Sequence, residues 1–284
     1  MFARVLGCAA VAAFALGACV PPEPSNDLVQ DYDETTAMGG IQAAGVLRIG
    51  LEEDAFPLGG EGADPAGFTF EIGREVADSL GVEADFVVGP PDALLRMIDE
   101  GDLDVAFPLD PVTEAAVRKH AYSDPWWVGH QRLLVTDERI QALGDLAGVA
   151  VCDAPDPATG IPIADLVPEV GGVVSVDDAR GCRTPLRRGR AQAASGPDVL
   201  LLSLLPDVAG SRIIGEQQTT AGYGVVMSKD SVGLNVFVDL VLREIDSEGR
   251  WERWYEKYVA PVTGEPSPGI PTMTIEEAAA LYPK

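Results

Sequence analysis

Short apolar runs alternate with amphipathic stretches of helical length along most of this chain. That alternation restricts the fold more than any other feature. Val46-Leu47-Arg48-Ile49-Gly50 reads as a strand. Gly67-Phe68 leads into a helix on which Ile72, Val76 and Leu80 recur four apart, and Gly81 stops it. Residues 84–88 form the next expected strand. Pro90-Pro91 then opens a helix carrying Leu94, Met97 and Ile98, ended by Gly101. A third strand over 103–107 precedes a helix around 112–120. The pattern repeats after Trp127, with strands expected at 131–135, 148–152, 173–176 and 199–202. Helical stretches lie between them, notably 177–188. One more strand over 222–227 precedes two helices, 234–248 and 250–259. Strands separated by helices of this length predict parallel α/β units.

The flanks have a different composition. Pro21, Pro22, Pro24, Asp31, Asp33, Glu34, Gly39 and Gly40 mark 19–40 as a flexible tether, with order beginning near Ile41. Residues 263–284, rich in Pro, Thr, Glu and Ala, read as a lightly packed tail. The 284 residues carry 45 acidic and 20 basic side chains, a formal charge of −25. Such a surface repels phosphate backbones, so nucleic acid is not an expected partner. At 46% hydrophobic residues the chain can still bury a core.

The first residues carry an address. The apolar run from Val5 to Leu16 is too short to span a bilayer, which takes about 20 residues. It ends in Leu16-Gly17-Ala18-Cys19, which resembles the lipobox of bacterial lipoproteins. The resemblance implies a signal peptide over 1–18 and cleavage before Cys19. It also implies a lipid on the Cys19 sulfur and a protein anchored outside the cytoplasm. An ordinary secretory signal with a chance cysteine is the alternative. Cys152 and Cys182 remain, an even pair in an oxidising compartment, which reads as a disulfide or as two buried thiols. His120 and His130 show no metal-ligand spacing with them, and no metal or cofactor is expected.

In order along the chain, several blocks resemble the extracytoplasmic solute-binding proteins of polar amino-acid ABC importers. They are Val46 to Gly50; Ala66-Gly67-Phe68-Thr69-Phe70-Glu71 with Ser79-Leu80-Gly81; Gly101-Asp102-Leu103-Asp104-Val105-Ala106; Thr113-Glu114 with Ala121-Tyr122-Ser123-Asp124-Pro125-Trp126-Trp127; Gly222-Tyr223-Gly224-Val225; and Glu248-Gly249-Arg250-Trp251. Val151-Cys152 and Gly181-Cys182, with Leu186 and Gly189, are similar to the lipoprotein glutamate-binding branch. That likeness also favours a Cys152–Cys182 disulfide. It implies an α/β, two-lobed periplasmic-binding-protein-like fold of type II with two crossing hinge strands. Lobe one is then 41–128 plus 222–262, and lobe two is 129–221. It further implies a monomer that captures a small-molecule solute by lobe closure, delivers it to ABC importer permease subunits and touches the membrane through its lipid alone.

The family's ligand anchors are altered. Its carboxylate-clamping arginine stands three residues after the Thr of "T-x-x-R", which here is Ala116. Either Arg118 takes over through a shifted loop, or the clamp is missing. Its ammonium-accepting aspartate follows five residues after an aspartate that starts a strand. Counting from Asp198, that position is Ser203. The Gly-Ser/Thr-Thr loop is replaced by Pro155-Asp156-Pro157-Ala158-Thr159-Gly160, and Pro108 and Leu109 stand where serines are usual. The expected cleft therefore comprises Glu52 with Phe56, Phe107 with Asp110, and Arg118, Trp126, Thr159 and Ser203. Acids and aromatics together suit a cationic or amphipathic ligand. Each has a plainer reading, as a solvated loop near Glu52 and as hinge packing at Trp126. A two-lobed sensor that has lost transport is the second functional reading. A dehydratase-like enzyme using Glu52 or Asp110 as its acid is the third.

Overall fold

The computed structural model describes residues 30–61, 64–156 and 158–283. The expected signal segment and the Cys19 lipid site lie outside the described residues.

Order starts earlier than Ile41. A helix spans Ala37–Ala44, and the Thr36 hydroxyl caps it by accepting from the Gly39 N–H. Tyr32 packs edge-on against Phe237 at 5.9 Å, so one aromatic holds the end of the tether on lobe one.

Strand β1 (Val46–Glu52) places Leu47, Ile49 and Leu51 on one fully buried face. Gly50 faces the other way, where a Cβ would lie 2.7 Å from Leu103 and 3.0 Å from Leu94. β2 (Glu83–Gly89), β3 (Val105–Phe107) and β4 (Ala121–Tyr122) follow. β5 (Trp127–Gly129) crosses to the second lobe, which holds β6 (Gln131–Val135), β7 (Ala150–Asp153), β8 (Gly172–Ser175), β9 (Ala193–Pro197) and β10 (Arg212–Ile214). β11 (Ala221–Tyr223) returns and β12 (Val226–Met227) rejoins lobe one. The first sheet runs β2-β1-β3-β12-β4, parallel except at β12. The second runs β10-β6-β9-β7-β8, with β9, β7 and β8 parallel. β5 and β11 form an antiparallel ribbon between them, Trp127 opposite Tyr223 and Gly129 opposite Ala221. This is the expected two-lobed α/β fold with two crossing strands.

Two local readings are corrected. Residues 199–202 are not a strand. They lie in a helix, Asp198–Leu201, continued by a 3₁₀ turn, Leu202–Leu204. The real strand is β9, Ala-Ala-Ser-Gly-Pro, which lacks the bulky β-branched residues that advertise a buried strand. Its small side chains are needed, since a Cβ on Gly196 would approach the Ala154 carbonyl to 3.0 Å and Ala179 Cβ to 3.3 Å. The C-terminal segment is not lightly packed either. Thr274 and Glu277 form a capping box on a helix, Ile275–Leu281. Ala278 and Ala279 bury against Val112, Tyr122 and Val226. The Ile275 N–H donates to Asp124 at 2.9 Å, and the Tyr282 hydroxyl donates to the Thr220 carbonyl at 2.6 Å. Alanines give this helix a weak apolar signal yet allow close approach: a Cβ on Gly222 of β11 would meet Ala278 at 2.9 Å.

The lobe-one core gathers its aromatics beside the ribbon. Phe68 contacts Trp126, Trp127 and Trp251 at centroid distances of 6.0, 5.8 and 5.1 Å. Cys152 of β7 and Cys182 are joined by a disulfide, Cα atoms 5.7 Å apart, which removes the free-thiol alternative.

Candidate functional site between the lobes

The carboxyl ends of β1 and β3 in lobe one face the end of β7 and the turn Ala179–Cys182 in lobe two. Ligand crevices of open α/β sheets form at such strand ends. Asp178 caps the turn by accepting from the Arg180 N–H at 2.7 Å. The disulfide at Cys182 fastens the same turn to β7. Arg180 is thus held by covalent and capping constraints, with its guanidinium directed across the cleft. Its Nε and Nη2 donate to Asp178 at 2.9 and 2.5 Å. Its Nη1 reaches lobe one, 2.8 Å from Glu52 Oε1 and 2.9 Å from the Glu53 carbonyl. The other Glu52 oxygen accepts from the Leu109 N–H at 2.5 Å. One arginine therefore ties lobe two to the ends of two lobe-one strands.

The electrostatics follow from burial. The Glu52 side chain is 2% exposed and that of Arg180 is 18%. Loss of water pushes the Glu52 carboxyl up to about 7, although Arg180 and the Leu109 N–H both pull it down. Burial acts against the charge on Arg180, but Asp178 and then Glu52 more than offset it and hold the guanidinium ionised. Asp178 is held below its ordinary value: burial opposes this, and the Arg180 hydrogen bonds win. Asp110, after β3, keeps solvent access at the cleft mouth. The protein crowding around it, then the like charges of Asp156 and Asp92, push its carboxyl up to about 6. Asp156 belongs to lobe two and accepts from the N–H groups of Ala158 and Thr159 and from the Thr159 hydroxyl, at 2.8, 2.8 and 3.1 Å. Thr159 is buried and serves this loop. Gln131 clamps the loop from below, donating to the Ile161 carbonyl at 2.6 Å and accepting from the Ile161 N–H at 2.6 Å.

The structure thus brings together Glu52, Asp110 and the loop of Thr159, and adds Arg180, Asp178 and Asp156. The other expected contacts lie elsewhere. Phe56 packs edge-on to Tyr258 at 6.2 Å. Phe107 and Trp126 are fully buried in the lobe-one core, 6.3 Å apart. Arg118 does not replace the carboxylate clamp: its side chain is 59% exposed and pairs with Glu114 one turn back at 3.0 Å. The reason is helical geometry. Thr113 caps the helix Glu114–Lys119 by accepting from the Ala116 N–H, which fixes the register and turns Arg118 outward. Ser203 is not the second anchor, because its hydroxyl donates to the Leu200 carbonyl at 2.7 Å.

The register behind Ser203 also shifts. Asp198 follows β9 and opens the helix Asp198–Leu201 instead of starting a strand, and accepts from the His130 N–H at 3.0 Å beside the ribbon. Burial pushes its carboxyl up to about 7. Arg180 and Asp178 were missed in the sequence. Their one signal was a lone Asp-x-Arg just before Cys182, within a region read as helix.

Four carboxylates around one guanidinium leave excess negative charge. The arrangement can receive a solute's ammonium at the acids, and a solute's carboxylate at Arg180 in place of Glu52.

Comparison with known proteins agrees with this fold. The family profile of the bacterial extracellular solute-binding proteins, family 3, matches residues 47–261. The chain is 24% identical over 198 residues to the ABC transporter glutamine-binding protein GlnH of Bacillus subtilis (strain 168), covering 68% of this chain and 72% of that protein. It is 24% identical over 243 residues to the L-cystine-binding protein TcyJ of Escherichia coli (strain K12), covering 81% and 88%. The crystal structure of a mutant of ArgBP from T. maritima superposes with a TM-score of 0.61 at 25% identity, covering 78% of this chain and 98% of that one.

Proposed function

The chain belongs to the bacterial extracellular solute-binding proteins of family 3, and we propose that it is the lipid-anchored capture component of an ABC importer for an amino acid with a cationic side chain. The observation that carries this reading is the interlobe contact of Arg180 with Glu52, ringed by Asp110, Asp156 and Asp178. It unites groups from both lobes, and their balance is acidic. In this reading the α-carboxylate of the solute takes the Nη1 face of Arg180, a role the family resemblance assigns to the position of Ala116. Asp110 and Asp156 receive the amine groups. Glu52, released by Arg180, takes up a proton, since burial favours its neutral form. The related proteins support an amino acid: GlnH binds glutamine, TcyJ binds L-cystine, and ArgBP has been seen in an arginine-bound form. Lobe closure would then be selected by differential affinity, since a solute shifts the equilibrium only by binding the closed form better.

Titration of the protein with amino acids, amines, sugars and small peptides, read by tryptophan fluorescence and calorimetry, tests this. Arginine or lysine is expected to bind at least tenfold more tightly than agmatine or cadaverine, which lack the carboxylate. A flat response across the panel would overturn the proposal and leave a two-lobed sensor.

Lipid anchoring rests on Leu16-Gly17-Ala18-Cys19. Cys19→Ser is expected to move the protein from the membrane fraction to the soluble extracytoplasmic fraction. Retention on membranes would remove the anchor from the proposal.

A further inference from the structure

We propose that a cavity against the crossing strands is a second binding site, specific for a small planar aromatic acid. The cavity measures about 570 Å³, within the range of small-ligand sites. Trp127, Trp251 and Tyr255 wall it from lobe one, Asp198 and Leu202 from lobe two, and the segment 265–273 covers it. Its lining includes none of Glu52, Asp110, Asp156 or Arg180. Consecutive residues of β6 separate the two regions, because side chains alternate across a strand. Gln131 faces the Thr159 loop, whereas Arg132 faces this cavity.

The rings choose the shape of the occupant. Trp127 and Trp251 are 5.7 Å apart at 28°, Trp127 and Tyr255 6.0 Å at 13°, and Trp251 and Tyr255 5.6 Å at 19°. The parallel planes do not converge on a common centre, as a cage for an ammonium requires; a parallel set suits a further offset-stacked ring. Tyr255 opens a π-helical turn, Tyr255–Val259, and both of its end residues line the cavity. Single π turns within helices concentrate at functional sites.

The polar groups choose the charge. Among the described residues, Trp127 Nε1 and Arg132 Nε are buried without a hydrogen-bond partner, and Trp127 is 8% exposed. Buried donors left unpaired are rare and costly. The guanidinium of Arg132 has only a loose contact with Glu265, at 3.7 Å, and the Glu265 side chain is half exposed. Asp198 is already engaged by the His130 N–H. Two unused donors, one of them cationic, call for an anionic acceptor on the ring that stacks here.

Indole-3-acetate is the probe, titrated calorimetrically against the full oxidised protein, with indole and tryptamine as comparisons. Saturable 1:1 binding at submillimolar concentration is expected, with indole and tryptamine each at least tenfold weaker. Arg132→Gln is expected to weaken indole-3-acetate at least tenfold. Ile213→Trp, which fills the cavity from β10, is expected to abolish binding with native circular dichroism retained. Asp110→Asn, on the exposed side of the cleft, is expected to leave it unchanged. No saturable binding, equal affinity for indole, insensitivity to both cavity variants, or altered binding in Asp110→Asn would each overturn the proposal. The last result would place the probe in the cleft.

Discussion

Replacing Cys152 and Cys182 together by alanine is expected to lower the stability of the protein by about 3–4 kcal/mol. The bond spans a sequence separation of 30 and so removes loop-closure entropy from the unfolded chain. For a chain of this size that corresponds to a fall in Tm of roughly 6–16 °C. Both sulfurs are fully buried, so the double variant also loses packing in the lobe-two core with Leu134, Ala154 and Ala194. The effect should reach the cleft, since Cys182 ends the turn that presents Arg180. Differential scanning calorimetry of the oxidised, reduced and double-variant proteins checks the magnitude. Unchanged melting on reduction would show that the covalent link contributes nothing.

Arg180→Gln is expected to have the larger conformational effect, and that effect should depend on pH. Removing one member of a buried ion pair leaves the other uncompensated, at a cost of about 3–5 kcal/mol. Opening the cleft returns Glu52 to water and relieves this cost without unfolding. The expected consequence is a fall of roughly 10²–10³ in the closed-to-open ratio, read as an increased radius of gyration in solution scattering. The sign of the pH dependence follows from the direction of the Glu52 shift. Its carboxyl is raised in the closed state to about 7 from 4.5 in water. The proposed closure is therefore favoured in full below about pH 4.5, and that contribution is lost as the pH rises toward 7. The shift is worth roughly 3 kcal/mol. Asp110, raised to about 6, acts in the same direction. In Arg180→Gln the attraction that pulls Glu52 down is gone, so the loss continues beyond pH 7. Wild type and variant should look alike near pH 5 and diverge by pH 8. Identical scattering at pH 8 would refute the role of Arg180 in holding the lobes together.

The strand–helix alternation was legible because it rests on periodicity, which local sequence carries. Val46 to Gly50 and Gln131 to Val135 became β1 and β6 for that reason. β9 was illegible because its residues, Ala193, Ala194, Ser195 and Gly196, are small, and at Gly196 even a Cβ would crowd Ala154 and Ala179. The misplaced strand then set a wrong register, and counting from Asp198 led to Ser203, whose hydroxyl is spent inside its own turn. Glu52 and Asp110 could be found because both follow strands ending at one edge. Arg180 could not, since nothing in Asp178-Ala179-Arg180 says that a disulfide two residues later will aim the guanidinium at another lobe. Phe107 and Trp126 show the opposite error, where an aromatic near a strand end belongs to the core.

The carboxyl-terminal helix is joined to the return crossing through Ala278 beneath Gly222 and through Tyr282 at Thr220, and to the outward one through Asp124. A fusion partner or capture tag appended there would pull on the pivot itself. Biosensor formats that report shape change should therefore hold the molecule by its amino-terminal side, where attachment leaves the swing unloaded.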